Sequence, residues 1–152
     1  MRRRRSVAVI AMLIGSAVAV AAMAQGEGGK ILGVPPDKIK WGATPAGETG
    51  VRGATLTGTL DQPGFYTRRV HLSPDGMVPP HTHPDTRYVT VLSGALYVGQ
   101  DETMDRSKAV RYPAGSYLVV PAGAVHYSWA LDGEVEYQES GIGPTATRFL
   151  NK

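Results

Sequence analysis

From Val51 onward the chain alternates apolar and polar residues with period two, in short runs separated by Gly, Pro and Asp. Alternation of this kind marks half-buried β-strands, whose side chains point to opposite faces in turn. Ala54 to Leu60 alternates Thr with small or apolar residues, and Phe65 to Leu72 forms a second run after the turn at Gln62-Pro63-Gly64. Tyr88 to Ser93 and Ala95 to Gly99 read as a hairpin about Ser93-Gly94. Ser116 to Val120, Val125 to Leu131 and Val135 to Ser140 complete the series, with Leu131-Asp132-Gly133 as a turn. The charged stretch Asp101 to Arg111 predicts an exposed loop with at most one helical turn. No useful length of residues 25–152 carries a 3.6-residue apolar period. Short strands with Gly/Pro turns predict an all-β sandwich or barrel.

The first 50 residues read differently. Arg2 to Arg5 form a charged head, Val7 to Ala22 an apolar run, and Ala22-Met23-Ala24 a small-x-small cleavage site before Gln25. That order is the signature of a signal peptide over residues 1–24. A membrane anchor is the competing reading, but the apolar run is 16 residues, short of the roughly 20 that a bilayer span needs. Ser6-Val7-Ala8 after the arginines fits a twin-arginine signal poorly, so Sec-type export is expected. The predicted location is periplasmic or secreted, with no membrane attachment after cleavage. Residues 25–50 are expected to form an arm: a Gly-rich lead-in, then a Pro-containing segment whose Ile39 and Trp41 pack on the domain edge. Residues 51–150 form the one predicted domain.

Cleavage changes the charge. The full chain carries +3, but losing the four arginines leaves 12 basic residues against 13 acidic ones, a net −1. No basic run survives in residues 25–152, which argues against nucleic acid as a partner. The absence of cysteine excludes disulfides and thiolate ligands, so the remaining 128 residues must be held by their core alone.

Candidate chemistry concentrates in two segments that hold three of the four histidines. His81 and His83 lie in Gly76-Met77-Val78-Pro79-Pro80-His81-Thr82-His83, and His126 ends Gly115-Ser116-Tyr117-Leu118-Val119-Val120-Pro121-Ala122-Gly123-Ala124-Val125-His126. On extended backbone an HxH pair puts both imidazoles on one face, and a second strand bringing another His there makes a three-nitrogen metal site. His71 stands outside both segments and is read as structural.

These segments resemble the two motifs of the cupin superfamily, G-x5-H-x-H-x3/4-E-x6-G and G-x5-P-x-G-x2-H-x3-N. His81, His83 and Gly94 match the first, with Gly76 one residue closer, and Gly115, Pro121, Gly123 and His126 match the second, with Ala130 in place of Asn. Arg87 stands where the family has its metal-binding Glu. The resemblance implies a single-domain cupin jelly roll, a double-stranded β-helix barrel. It also implies one divalent transition metal on His81, His83 and His126. Imidazole suits Fe, Zn, Mn, Ni and Cu, so ligand type does not choose among them.

Period two from His81 puts Asp85, Arg87, Val89 and Val91 on its face and turns Tyr88 away. If Val135 and Tyr137 face inward, Glu134 and Glu136 face solvent, so water is the expected further ligand. Arg87 has two readings: it pairs with Asp85 in a structural role, or it binds an anionic group of a ligand. Arg87, Tyr88, Tyr97 and Trp129 are the candidate substrate-binding residues, with Tyr117 and Tyr127 as further aromatics near the barrel mouth. The leading functional reading is a metal-dependent, dioxygenase-like enzyme acting on a small organic molecule, anionic if Arg87 faces it. The alternatives are a non-catalytic periplasmic protein binding a metal or small ligand, and a barrel whose site has decayed. A homodimer is an assembly open to any of the three.

Overall fold

The computed structural model describes residues 29–150, so the expected signal peptide over residues 1–24 lies outside the described residues. Nine strands follow a short 3-10 turn at Pro36–Lys38: β1 (Thr49–Thr57), β2 (Gly64–Thr82), β3 (Arg87–Ser93), β4 (Ala95–Gly99), β5 (Val110–Pro113), β6 (Tyr117–Val120), β7 (His126–Trp129), β8 (Val135–Gly143) and β9 (Arg148–Phe149). They form one ribbon in the order β5-β4-β7-β2-β8-β3-β6, with β1 and β9 also on β2. The end strands β5 and β6 are consecutive in sequence. Their turn folds back on β3, where Gly115 N–H donates to the Val91 carbonyl and Val91 N–H to that of Ser116. This brings the ribbon round into the nearly closed barrel of a jelly roll. Among the described residues no helix is long and apolar enough to cross a membrane.

The 19-residue strand β2 is the spine. Its first half pairs with β1 and β8, and its second with β7 and β9. The chain bends between the halves at Asp75, which has φ 58°. Pro79 and Pro80 cannot donate to a ladder. The β2–β7 register accordingly shifts between Val78 and His81 and resumes at His81. The apolar alternation thus continues through the first motif, where the sequence predicts a strand only to Leu72.

Period two is obeyed closely. On β8 Val135, Tyr137, Glu139, Gly141 and Gly143 are buried, while the residues between them are not. Val51, Val70, Leu72, Val78, Val89, Val91, Leu96, Val98, Val135 and Tyr137 from both walls fill the interior. Burying each such side chain stabilises by about 1.5–3 kcal/mol, which lets the chain do without disulfides.

Three expectations are corrected. Tyr88 to Gly99 is not a hairpin: β3 pairs with β6 and β8, whereas β4 pairs with β5 and β7. Gly94, at φ 69°, is a corner between the two walls, and a Cβ there would strike the Glu134 carbonyl. Within the expected loop Asp101 to Arg111, one 3-10 turn forms at Arg106–Lys108, but Val110 already opens β5. Residues 148–149, for which no strand is predicted, add β9 against His81 and Thr82.

Candidate metal centre

His81 and His83 leave the end of β2 on the same face, and His126 faces His81 directly across the β2–β7 ladder. The ring centroids are 4.6 Å apart for His81–His83, 4.1 Å for His81–His126 and 5.1 Å for His83–His126. One ligand nitrogen from each ring lies within 4.8 Å of the others, and all three residues are buried.

Each ring is oriented by a backbone carbonyl. Nδ1 lies 2.7 Å from the Pro79 oxygen for His81, 2.8 Å from that of Ala146 for His83, and 3.0 Å from that of Ala124 for His126. A carbonyl can only accept, so each Nδ1 carries the proton and each Nε2 presents a bare lone pair. The Nε2 atoms of His81 and His83 then stand 3.1 Å apart with no proton between them. Two facing lone pairs repel unless an electron-pair acceptor sits among them. The donor set therefore fits a divalent metal.

Electrostatics agree. Burial pushes His81 down to about 3, helped by the neighbouring His126 and His83. Burial and the Arg87 guanidinium bring His83 to about 3 as well, and burial lowers His126. All three imidazoles are thus neutral near neutral pH, the form that ligates metal.

The histidines line a cavity of about 50 Å³, walled by Val51, Val70, Val78, Val89, Leu96, Val98, Leu118 and Val120. That is room for a few water-sized groups. Glu48, Arg68, Arg87 and Glu139 border the same cavity. Arg87 is only 4% exposed. It donates from Nη1 to Glu139 at 2.8 Å and from Nη2 to Thr145 Oγ1 at 2.9 Å. Its Nε is 3.9 Å from Asp85 and makes no hydrogen bond. Glu139 also lies 3.5 Å from Arg68 Nε. Tyr66 donates to Asp85 at 2.6 Å, and burial with this bond pushes Tyr66 up to about 12. Gly141 leaves room here, since a Cβ would meet both Asp85 and Tyr66. Burial also raises Glu48, against the opposing pull of Arg68.

Residues 144–149 run as a strap along this cluster. Thr145 binds Arg87 and Asp85, Ala146 orients His83, Thr147 lines the cavity, and the Phe149 ring lies 6.0 Å from His81. No motif in the sequence points to the strap. Glu139 is different, because period two continued from Val135 and Tyr137 puts it on the inward face.

The three aromatic candidates do not reach the cavity. Tyr88 is 48% exposed on the outer face of β3. Tyr97 donates to Asp132 at the surface. Trp129 is buried, but on the face of β7 that the Gly99–Val110 connection covers, with Arg106 4.5 Å from its ring. Pleat parity explains Trp129: on β7 it alternates with the inward His126 and Ser128. Tyr127 shares its face and donates to the Asp105 carbonyl at 2.6 Å, while Tyr117 is exposed. His71 sits outside the cavity, 3.4 Å from Glu134 and against Trp41.

A β-barrel holding three buried, mutually facing imidazoles defines a metal-binding class of small barrel proteins. The chain belongs to the cupin family, whose profile matches residues 54–143. It is 38% identical over 80 residues to germin-like protein 3-1 of Oryza sativa subsp. japonica, covering 52% of this chain and 35% of that one. Germin-like protein subfamily 1 member 1 of Arabidopsis thaliana is 36% identical over 84 residues, 51% of this chain and 39% of that one. The match thus spans only about two fifths or less of these relatives' length. The polyketide cyclase RemF from Streptomyces resistomycificus superposes with a TM-score of 0.69 at 18% identity, over 81% of this chain and 87% of that one. A recombinant oxalate oxidase in complex with glycolate superposes with a TM-score of 0.53 at 26% identity, over 67% of this chain and 56% of that one.

Proposed function

We propose that this chain is an exported metal-dependent cupin enzyme that acts on a small organic molecule with O2 as co-substrate, in dioxygenase-type chemistry. One observation carries the reading: three Nε2 lone pairs converge, with fixed tautomers, on a small cavity walled by aliphatic side chains on one part and by charged and polar ones on the rest. A bound divalent metal would supply Lewis acidity and, if redox-active, would relay electrons from the organic substrate to O2. The histidines would hold it through Nε2, the strap would fix His83, and the valine walls would exclude water. Arg87 Nε is buried, lies 3.9 Å from Asp85 behind the cavity wall and is turned away from a substrate. Both Nη groups are occupied, so the ligand meets Arg87 as half of a pair with Glu139. The oxalate oxidase that superposes on this chain holds glycolate, a molecule on the scale of this cavity, which supports a small carboxylic or hydroxylated substrate. The hydrogen-bonded carboxylate partner of Arg87 is Glu139 of β8, with Asp85 only a longer contact.

Metal analysis of purified protein tests the site: about one divalent first-row ion per chain is expected. His81→Ala, His83→Ala and His126→Ala should each lower occupancy sharply, and His71→Ala should not. Full metal retention in the His81→Ala/His83→Ala double variant would place the ligands elsewhere. An O2-uptake screen with phenols, thiols and small hydroxy acids tests the chemistry; metal and ligand binding without O2 consumption would make the chain a binding protein. Export has its own measurement. Intact mass of protein from the native host should start at Gln25, and a mass retaining Arg2 to Arg5 would refute cleavage.

A further inference from the structure

The family's motif has a carboxylate where this chain has Arg87, so a fixed positive charge stands on the wall of a pocket built for a dication. A bare guanidinium there would repel the metal, since like charges in a poorly screened interior interact strongly. The guanidinium is not bare. Glu139 takes Nη1 at 2.8 Å and is itself 5% exposed, so little water screens the pair. Glu139 also lies 3.5 Å from Arg68 Nε, and Arg68 borders the cavity too. Among the described residues that border the cavity, Glu48 is the only other carboxylate. Asp85 lies behind Arg87, 3.9 Å from Nε, and is engaged by Tyr66 and Thr145.

We propose that Glu139 is the acidic residue of this metal pocket: it acts through Arg87, cancelling the guanidinium's repulsion of the metal, and is a positioning residue rather than a ligand. The acidic charge that the motif places on β3 is thus supplied from the neighbouring strand β8. Arg87 and Glu139 are consequently an interdependent pair, and either one alone changes the charge felt by the ion. The inference rests on the three-histidine site proposed above and adds a residue outside both motifs.

The test is a double-variant cycle read by Co2+ binding, with affinity from competition against a chelator and the ligand set from the visible d–d spectrum. Glu139→Gln should weaken Co2+ about tenfold or more, within the range usual for groups that support metal ligands, with the spectrum of bound Co2+ unchanged. Arg87→Met, which leaves Glu139 with only the longer Arg68 contact beside the ion, should bind more tightly than wild type. The double variant Arg87→Met/Glu139→Gln should return to near wild-type affinity, a recovery that general damage to the barrel would not give. Binding of Glu139→Gln within about threefold of wild type, or a loss that persists in the folded double variant, would overturn the proposal. If Glu139→Gln does not fold, Arg87→Met decides alone, and unchanged affinity there counts against it. Failure of the metal site itself shows separately, as wild-type protein that binds no Co2+ or as retention by His81→Ala/His83→Ala.

Discussion

At the scale of single residues, Arg87 separates this chain from its family's pattern. Its inward position was legible, because period two from His81 carries it to the cavity face. Its partner follows from the parity of β8: with Val135 and Tyr137 inward, Glu134 and Glu136 turn to solvent and Glu139, two residues after Tyr137, turns inward. The aromatic candidates follow the same rule: Tyr88, Tyr97 and Trp129 have suitable chemistry, but the pleat decides what reaches the cavity and places them outside it. Arg87→Glu makes the sharpest residue-level test. It breaks a buried ion pair, at a cost of about 3–5 kcal/mol, and sets a third carboxylate beside Asp85 and Glu139. A dication relieves that crowding. The melting temperature of metal-free Arg87→Glu should therefore fall well below wild type, and added Zn2+ should raise it by more than it raises the wild type. A metal-induced rise no larger than wild type, in a folded variant, would mean that position 87 does not act on the metal.

At the scale of elements, what alternates was legible and what connects was not. The runs over β1, β3, β4, β6, β7 and β8 carry their own period, so their existence follows from the residues. Pairing does not. The adjacency of Tyr88 to Ser93 and Ala95 to Gly99 predicts a hairpin, yet Gly94 sends them to opposite walls. Two prolines hid the far half of β2, because a strand that cannot donate at Pro79 and Pro80 looks like a loop until a partner resumes the ladder at His81. Strand β9 is two residues long and has no period to read.

At the scale of the whole molecule, stability and the metal pocket draw on the same burial. In the unfolded chain His81 and His83 titrate near 6.5, but in the fold burial holds both at about 3. Between those values the unfolded state binds more protons, so stability rises with pH through that window. The contribution is fully present above about pH 6.5 and is lost as pH falls toward 3. Urea unfolding of metal-free protein should show this, with the midpoint falling from pH 7 to pH 4. The His81→Ala/His83→Ala variant should lose less stability over the same interval. Parallel pH profiles for the two proteins would show that these histidines do not couple folding to protons.

The strap at residues 144–149 also sets an order in time. Synthesis delivers His81 and His83 some sixty residues before Ala146, whose carbonyl fixes the tautomer of His83. The pocket with all three rings oriented therefore exists only once nearly the whole described chain has emerged and closed on itself. Loading is then a late event, completed wherever folding is completed. Where a leader carries the chain unfolded across a membrane, the ions on the far side are the ones on offer, and ion supply there joins ligand chemistry in choosing the metal.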